Sequence, residues 1–300
     1  MAKIYGIVST KGGVGKTSLA ANLGGILADM GQRVLLVDGD FQQTLSVYFK
    51  IRSQAPFGLK ALVTRADPTD CISRTAIDHL DIVLSDDPSG KLIDWFRESA
   101  SNVYYLAAAL KKLDDHYDYV LIDSQGARGI LQQSIILASD TLLSPIIPDV
   151  LESREFMRGT VQLLKSLEPP PGIAVPIPNI PPLLGLIYRQ DRTANAIKIA
   201  SSIRKQFYTE SKGKISILDT FVPFMAAYKK ASAVSLPVHR VEVKRSGPTP
   251  SAHDTFLALV HELLPHLSDI KPQWEAPNGT GRMSSARRDN GGLISWQRHV

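Results

Sequence analysis

Apolar residues fall in short β-rich blocks at Lys3 to Val8, Arg33 to Val37, Asp81 to Leu84, Tyr119 to Ile122, Thr141 to Pro145, Leu183 to Tyr188 and Thr220 to Val222. Longer stretches of helical period separate them, and this alternation predicts an α/β fold: a mostly parallel twisted sheet with helices on both faces. Between the first two blocks Leu19, Leu23, Ile26, Leu27 and Met30 repeat at three- and four-residue spacing, and Gly31 stands where a left-handed cap ends a helix. Further helices are expected over Gly90 to Leu113, Gly129 to Ala138, Glu152 to Leu167, Thr193 to Phe207 and Ser251 to Leu267.

Two segments break the pattern. Between residues 169 and 182 half of the positions are proline, which forbids a helix or a central strand and predicts a stiff connector. Residues 269–300 are rich in Gly, Pro, Ser and Asn and read as a mobile tail, so the expected organisation is one domain over 1–268 followed by that tail.

Composition narrows the function. The longest apolar runs are a handful of residues, far below the roughly 18 of a membrane-spanning helix, and no signal peptide precedes the first strand, so a cytoplasmic protein is expected. One cysteine, Cys71, allows no internal disulfide or cysteine-rich metal site and reads as a buried thiol. The histidines are scattered, with no zinc spacing. A net charge of +5 favours polyanionic partners without choosing one.

The strongest chemical signal is Lys11-Gly12-Gly13-Val14-Gly15-Lys16-Thr17-Ser18, which follows the first predicted strand and opens the first predicted helix. Glycines in that setting let backbone N–H groups turn inward around phosphates. The helix N-terminus adds its dipole, Lys16 neutralises β/γ oxygens, and the Thr17 hydroxyl is a Mg²⁺ ligand. The usual pattern has glycine six residues before the lysine, where this chain has Thr10, and it carries a second lysine, Lys11, inside the loop.

This KGGxGKT form resembles the deviant Walker A motif of the ParA/MinD ATPases. The similarity continues: Asp38-Gly39-Asp40-Phe41-Gln42 resembles the second-strand DxDPQ motif, and the strand ending at Asp123 resembles Walker B. Weaker matches at Ala138 to Asp140, Ser144 to Pro148, Leu184 to Tyr188, Val222-Pro223 and Leu236 to Val238 extend it over residues 2 to 268. The retained Gln42 favours the ParA branch.

What the resemblance implies is a P-loop NTPase fold that binds ATP through residues 11 to 18. Thr17 and Asp123 hold Mg²⁺, Asp40 positions the attacking water, and Asp38 is a structural acid. Lys11 reaches in trans to the phosphates of a second subunit in an ATP-dependent homodimer. The implied function is DNA partition: the ATP dimer binds double-stranded DNA non-specifically, associating with the nucleoid, and a ParB-like centromere-binding protein stimulates slow hydrolysis. The chain departs from the family after Asp40 (Phe41-Gln42-Gln43-Thr44) and after Asp123 (Ser124-Gln125-Gly126), both in switch regions that surround the water. At the places of the family's DNA-contacting arginines stand Phe224 and Ala227, leaving Lys229 with Lys230, or Arg189 with Arg192, as candidate phosphate contacts. The alternative is a MinD-like switch on a membrane surface, for which Leu293 to Arg298 is the candidate anchor, too short and sparsely apolar to hold alone. A metabolic or metallocluster relative fits least.

Overall fold

The computed structural model describes residues 1–126, 129–167, 180–191, 193–211, 215–275 and 282–284. Nine strands make one sheet: β1 (Lys3–Ile7), β2 (Val34–Gly39), β3 (Ile51–Ser53), β4 (Ser73–Thr75), β5 (Leu80–Val83), β6 (Tyr119–Ser124), β7 (Thr141–Ile146), β8 (Leu183–Gln190) and β9 (Ile215–Pro223). Their order is β3-β4-β5-β2-β6-β1-β7-β8-β9, and pairing is parallel from β5 to β9, with β3 and β4 antiparallel at one edge. The seven blocks read from hydrophobicity are the seven parallel strands. The two edge strands are three residues each, too short to display an alternation that a sequence pattern could register.

Ten helices accompany the sheet among the described residues: α1 (Lys16–Asp29), α2 (Leu59–Arg65), α3 (Lys91–Glu98), α4 (Tyr105–Lys111), α5 (Ile130–Ala138), α6 (Val150–Ser166), α7 (Ala194–Glu210), α8 (Ala227–Ala233), α9 (Val238–Val241) and α10 (Ala252–Leu263). Successive strand residues face opposite ways, so β2 sends Leu35 and Val37 to one apolar core and Val34 and Leu36 to the other. The first core takes Leu62, Phe96, Leu110, Ile135, Phe156 and Phe207 from α2 to α7. Leu23 and Ile26 of α1, Ala231 of α8, Val238 of α9 and Phe256 of α10 fill the second. Helices thus cover both faces, as the alternating pattern requires.

The expected Gly90 to Leu113 helix is in fact broken. Ser99 is extended (φ −152°, ψ 139°) and the chain restarts through a 3₁₀ turn at Ala100–Tyr104, while the Asn102 side-chain amide donates to the Trp95 carbonyl and ties off α3. Similarly α10 stops at Leu263, because Pro265 cannot extend it, and continues as a 3₁₀ turn. Gly31 does cap α1: at φ +80° its N–H donates to the Ala28 carbonyl.

Residues 269–275, assigned by sequence to a mobile tail, pack on the body. Strand β10 (Gln273–Glu275) pairs antiparallel with β11 (Arg282–Ser284), and the buried Trp274 ring meets His239 edge-on with centroids 5.5 Å apart. His239 and Arg240 both bond the Asp29 carboxylate at the end of α1, so a buried ion pair anchors the surface that Trp274 covers. The low apolar content of this stretch hid Trp274, which is buried against the body. Most of the proline-rich connector (168–179) and the remainder of the tail (276–281 and 285–300) lie outside the described residues, as does the candidate anchor Leu293 to Arg298. Among the described residues no helix is long and apolar enough to cross a membrane. Cys71 is buried, and burial pushes its thiol up to about 11.

Candidate functional site

In an open parallel sheet, ligands bind beyond the carboxyl ends of the strands where the strand order reverses direction. Here that point is the end of β1, flanked by β6 and β7. Ile7 registers with Asp123 of β6, which registers in turn with Asp38 of β2, so three strand ends deliver a glycine loop and two acids to one place. Side chains from neighbouring elements fix the carbonyls that enter the loop. Ser124 Oγ donates to Ile7 O (2.8 Å), Ser144 Oγ to Val8 O (2.5 Å) and Gln132 Nε2 to Ser9 O (3.1 Å).

The loop then turns through Gly13 (φ +74°) and Gly15 (φ +104°), conformations that an L side chain resists. Thr10, which occupies the usual glycine position, is accommodated from the opposite side. It packs on Gly159 of α6, where any Cβ would collide with its hydroxyl. Val14 is buried beneath the loop.

Gly12, Gly13, Gly15, Lys16, Thr17 and Ser18 line a cavity of about 420 Å³, with Asp40 and Gln42 on its wall. Lys16 is buried and donates to the Lys11 carbonyl at 3.2 Å; burial pushes its pKa down, opposed by Asp123 and Asp40. Among the described residues its ammonium, held inside the loop, has no carboxylate partner of its own. Thr17 Oγ1 donates to Asp123 Oδ2 at 2.6 Å, while Asp123 Oδ1 is buried with no hydrogen-bond partner among the described residues. A hydroxyl and an orphaned carboxylate oxygen side by side are the hard-oxygen donors Mg²⁺ selects, so these residues fit the metal. Bound there, Mg²⁺ supplies charge neutralisation for phosphate oxygens.

Asp38 lies at the end of β2, where its carboxylate is taken up by hydrogen bonds from the chain that follows. It is fully buried and accepts from Ser46 N, Ser46 Oγ (both 2.7 Å) and Asp40 N (3.1 Å), which pins the chain after β2 back on the strand. Asp40 is half-buried, and its Oδ1 accepts from Gln42 N at 3.0 Å.

Of the remaining candidates, Lys11 lies at the outer rim. Its Nζ pairs with Glu152 (2.5 Å) and Glu155 (3.0 Å) of α6, contacts that raise its pKa. Arg189 and Lys229, read from sequence as DNA contacts, both line the nucleotide cavity. Lys230 is exposed on α8, outside that lining, and Arg192 lies outside the described residues. Thr44, placed by sequence in a switch region, is on the wall, and sequence reasoning missed Tyr48, Tyr228 and Ser232 beside it. Tyr228 and Ser232 share one face of α8, a helix that periodicity did not reveal.

Burial pushes the Asp123 carboxyl up to about 7, with the Thr17 bond and Lys16 opposing and Asp38 and Asp40 reinforcing the rise. A carboxyl whose folded pKa exceeds the unfolded value of about 3.9 loses stability as pH rises between the two values, and bears the full penalty above 7. Asp123→Asn removes that penalty. The apo variant is expected to melt a few degrees higher at pH 8, with the difference shrinking as pH falls below 7. Mg²⁺ with nucleotide should raise the melting temperature of the parent more than that of the variant, which keeps the loop and Lys16 but loses a metal oxygen. A lower melting temperature for the variant at pH 8 contradicts this account of Asp123.

A family model described as an AAA domain matches residues 2–169. The chain is 35% identical over 153 residues to the virulence plasmid ParA family protein pGP5-D of Chlamydia psittaci, a match covering 49% of this chain and 58% of that protein. It is 34% identical to the sporulation initiation inhibitor Soj of Bacillus subtilis, covering 55% of this chain and 67% of Soj. Against the chromosome partitioning protein ParA of Caulobacter vibrioides it is 28% identical over 267 residues, 87% of this chain and 94% of that one. In three dimensions the septum site-determining protein MinD of Pyrococcus horikoshii, complexed with Mg-ADP, superposes with a TM-score of 0.67 at 21% identity, covering 88% and 96% of the two chains. The fold and loop define a P-loop nucleotide hydrolase. The chain belongs to the ParA/MinD family of deviant Walker A ATPases.

Proposed function

We propose that the chain is a DNA partition ATPase: ATP joins two copies, the dimer binds duplex DNA without sequence preference, and a ParB-like partner triggers hydrolysis and release. The observation that carries this reading is Lys11. Its ammonium sits at the rim of the loop, part-exposed at 38%, outside the lining of its own nucleotide cavity. A second subunit's phosphates are an anionic destination for it, and likeness to Soj and ParA supports partition as the process served.

The test is ATP-dependent dimerisation by light scattering together with binding to random duplex. Lys11→Ala should still bind nucleotide and remain monomeric with ATP. Counterion release makes DNA affinity fall with salt at about 0.9 log units per neutralised phosphate. Lys230→Ala should lower that slope by about two, one contact in each subunit, and leave nucleotide binding intact. Lys229 is a poorer probe, since it also lines the nucleotide cavity. Normal ATP-dependent dimers of Lys11→Ala remove the trans role. If the ATP-bound protein ignores duplex DNA at low salt but sediments with anionic liposomes, the MinD-like reading replaces partition.

A further inference from the structure

Arg189 is drawn by sequence toward DNA, yet its backbone and its contact both turn it to the phosphate loop. Tyr188 registers with Val222 and Gln190 with Pro223, so Arg189 is the extra residue of a β-bulge at the end of β8. Its φ is +59°, in the left-handed region that a residue with a long side chain seldom adopts. Bulges of this kind re-aim a side chain, and they concentrate beside active sites. Here the guanidinium is brought to Gly13, where Nη1 donates to the carbonyl oxygen at 2.9 Å. The preceding residue grips the same loop further along. The Tyr188 ring occupies the space a Gly15 Cβ would need, and its hydroxyl donates to Ser18 Oγ at 3.0 Å.

A trans peptide points its C=O and its N–H in opposite directions. With Gly13 O held by Arg189, the Val14 N–H of the same peptide is turned to the opposite side, so one contact sets the direction of both groups. Gly13 is otherwise free to flip, because glycine occupies both signs of φ readily. We infer that Arg189 is a positioning residue for the nucleotide: held by a strained bulge, it fixes the Gly13–Val14 peptide so that the loop is preorganised for phosphate. This rests on the ATP-binding assignment and is independent of DNA binding. The strained backbone is consistent with such a role, since unfavourable dihedrals persist where the surrounding structure uses them.

The experiment compares Arg189→Gly, Arg189→Ala and Arg189→Lys in the full chain. The readouts are affinity for a fluorescent ADP analogue with Mg²⁺, the apo melting temperature and, at saturating ATP, the salt slope for random duplex. Arg189→Gly removes the side chain while relieving the positive φ, so it keeps the fold and isolates the contact. Losing one hydrogen bond from a charged donor predicts a Kd for ADP raised about tenfold in both the Gly and Ala variants, with the Gly variant's melting temperature unchanged. Arg189→Lys, which retains a cationic donor, should recover at least half of the logarithmic loss, and millimolar ethylguanidinium should restore part of the affinity of Arg189→Gly. The DNA salt slope should stay at the parent value. Unchanged ADP affinity in Arg189→Gly overturns the assignment. So does a loss that neither lysine nor ethylguanidinium recovers, and a salt slope reduced by about two with ADP affinity intact returns Arg189 to the DNA face.

Discussion

Lys16→Ala is expected to lose nucleotide binding. The ammonium is buried inside the loop, where among the described residues the Lys11 carbonyl is its one hydrogen-bond acceptor, and burial already lowers its pKa, so its charge is held at a desolvation cost that phosphate oxygens would offset. Truncating one member of a buried, hydrogen-bonded charge pair costs about 2–5 kcal/mol or more, which is roughly thirtyfold to several thousandfold in Kd. Isothermal titration with MgADP measures it directly. Lys11 cannot substitute, because its side chain is turned outward to Glu152 and Glu155. The fold should survive, since the substitution removes a buried charge from the first turn of α1 without opening the apolar face formed by Leu19, Leu23 and Ile26. A Kd for MgADP within threefold of the parent would mean that the loop does not bind phosphate through Lys16.

The parallel strands and the loop were legible because each is a local pattern. A fully buried strand such as β2 is a run of apolar residues ending in an acid, and a phosphate loop is glycine, lysine and hydroxyl at fixed spacing. Legibility ends where a residue's role depends on distant parts of the chain. Arg189 looks like a surface cation until the bulge in β8 turns it toward Gly13, more than 170 positions earlier in the sequence. Lys229 looks the same until α8 brings it beside the cavity. Trp274, in a segment of otherwise disordered composition, is docked by a histidine that is itself set by Asp29 at the far end of α1. Helices α8 and α9 escaped because they span only seven and four residues, under two turns each, which is too little for a 3.6-residue period to show. In contrast, Asp38 and Asp40 were separable by their places alone: the first still belongs to the strand, and the second has left it.

That separation carries the last expectation. Asp40→Ala should bind ATP with about the parent affinity, form the ATP dimer and hydrolyse about a hundredfold more slowly or worse. The carboxylate lies on the cavity wall, oriented by the Gln42 N–H, and its own backbone N–H is tied to Asp38. It touches neither Lys16 nor the Thr17–Asp123 pair by hydrogen bond, so its removal leaves the phosphate and metal contacts standing while taking away a group that can orient a water. Positioned acid–base groups contribute about 10² to 10⁴ in rate, which sets the size of the loss. Asp40→Asn separates the two ways a carboxylate can act: recovery of most of the rate means that accepting a hydrogen bond and holding the water suffices, whereas a rate as low as alanine's means that a proton must be taken. Single-turnover hydrolysis measured beside nucleotide affinity keeps binding and chemistry apart. Parent turnover in Asp40→Ala would move the role to Gln42, the next polar side chain along the same wall.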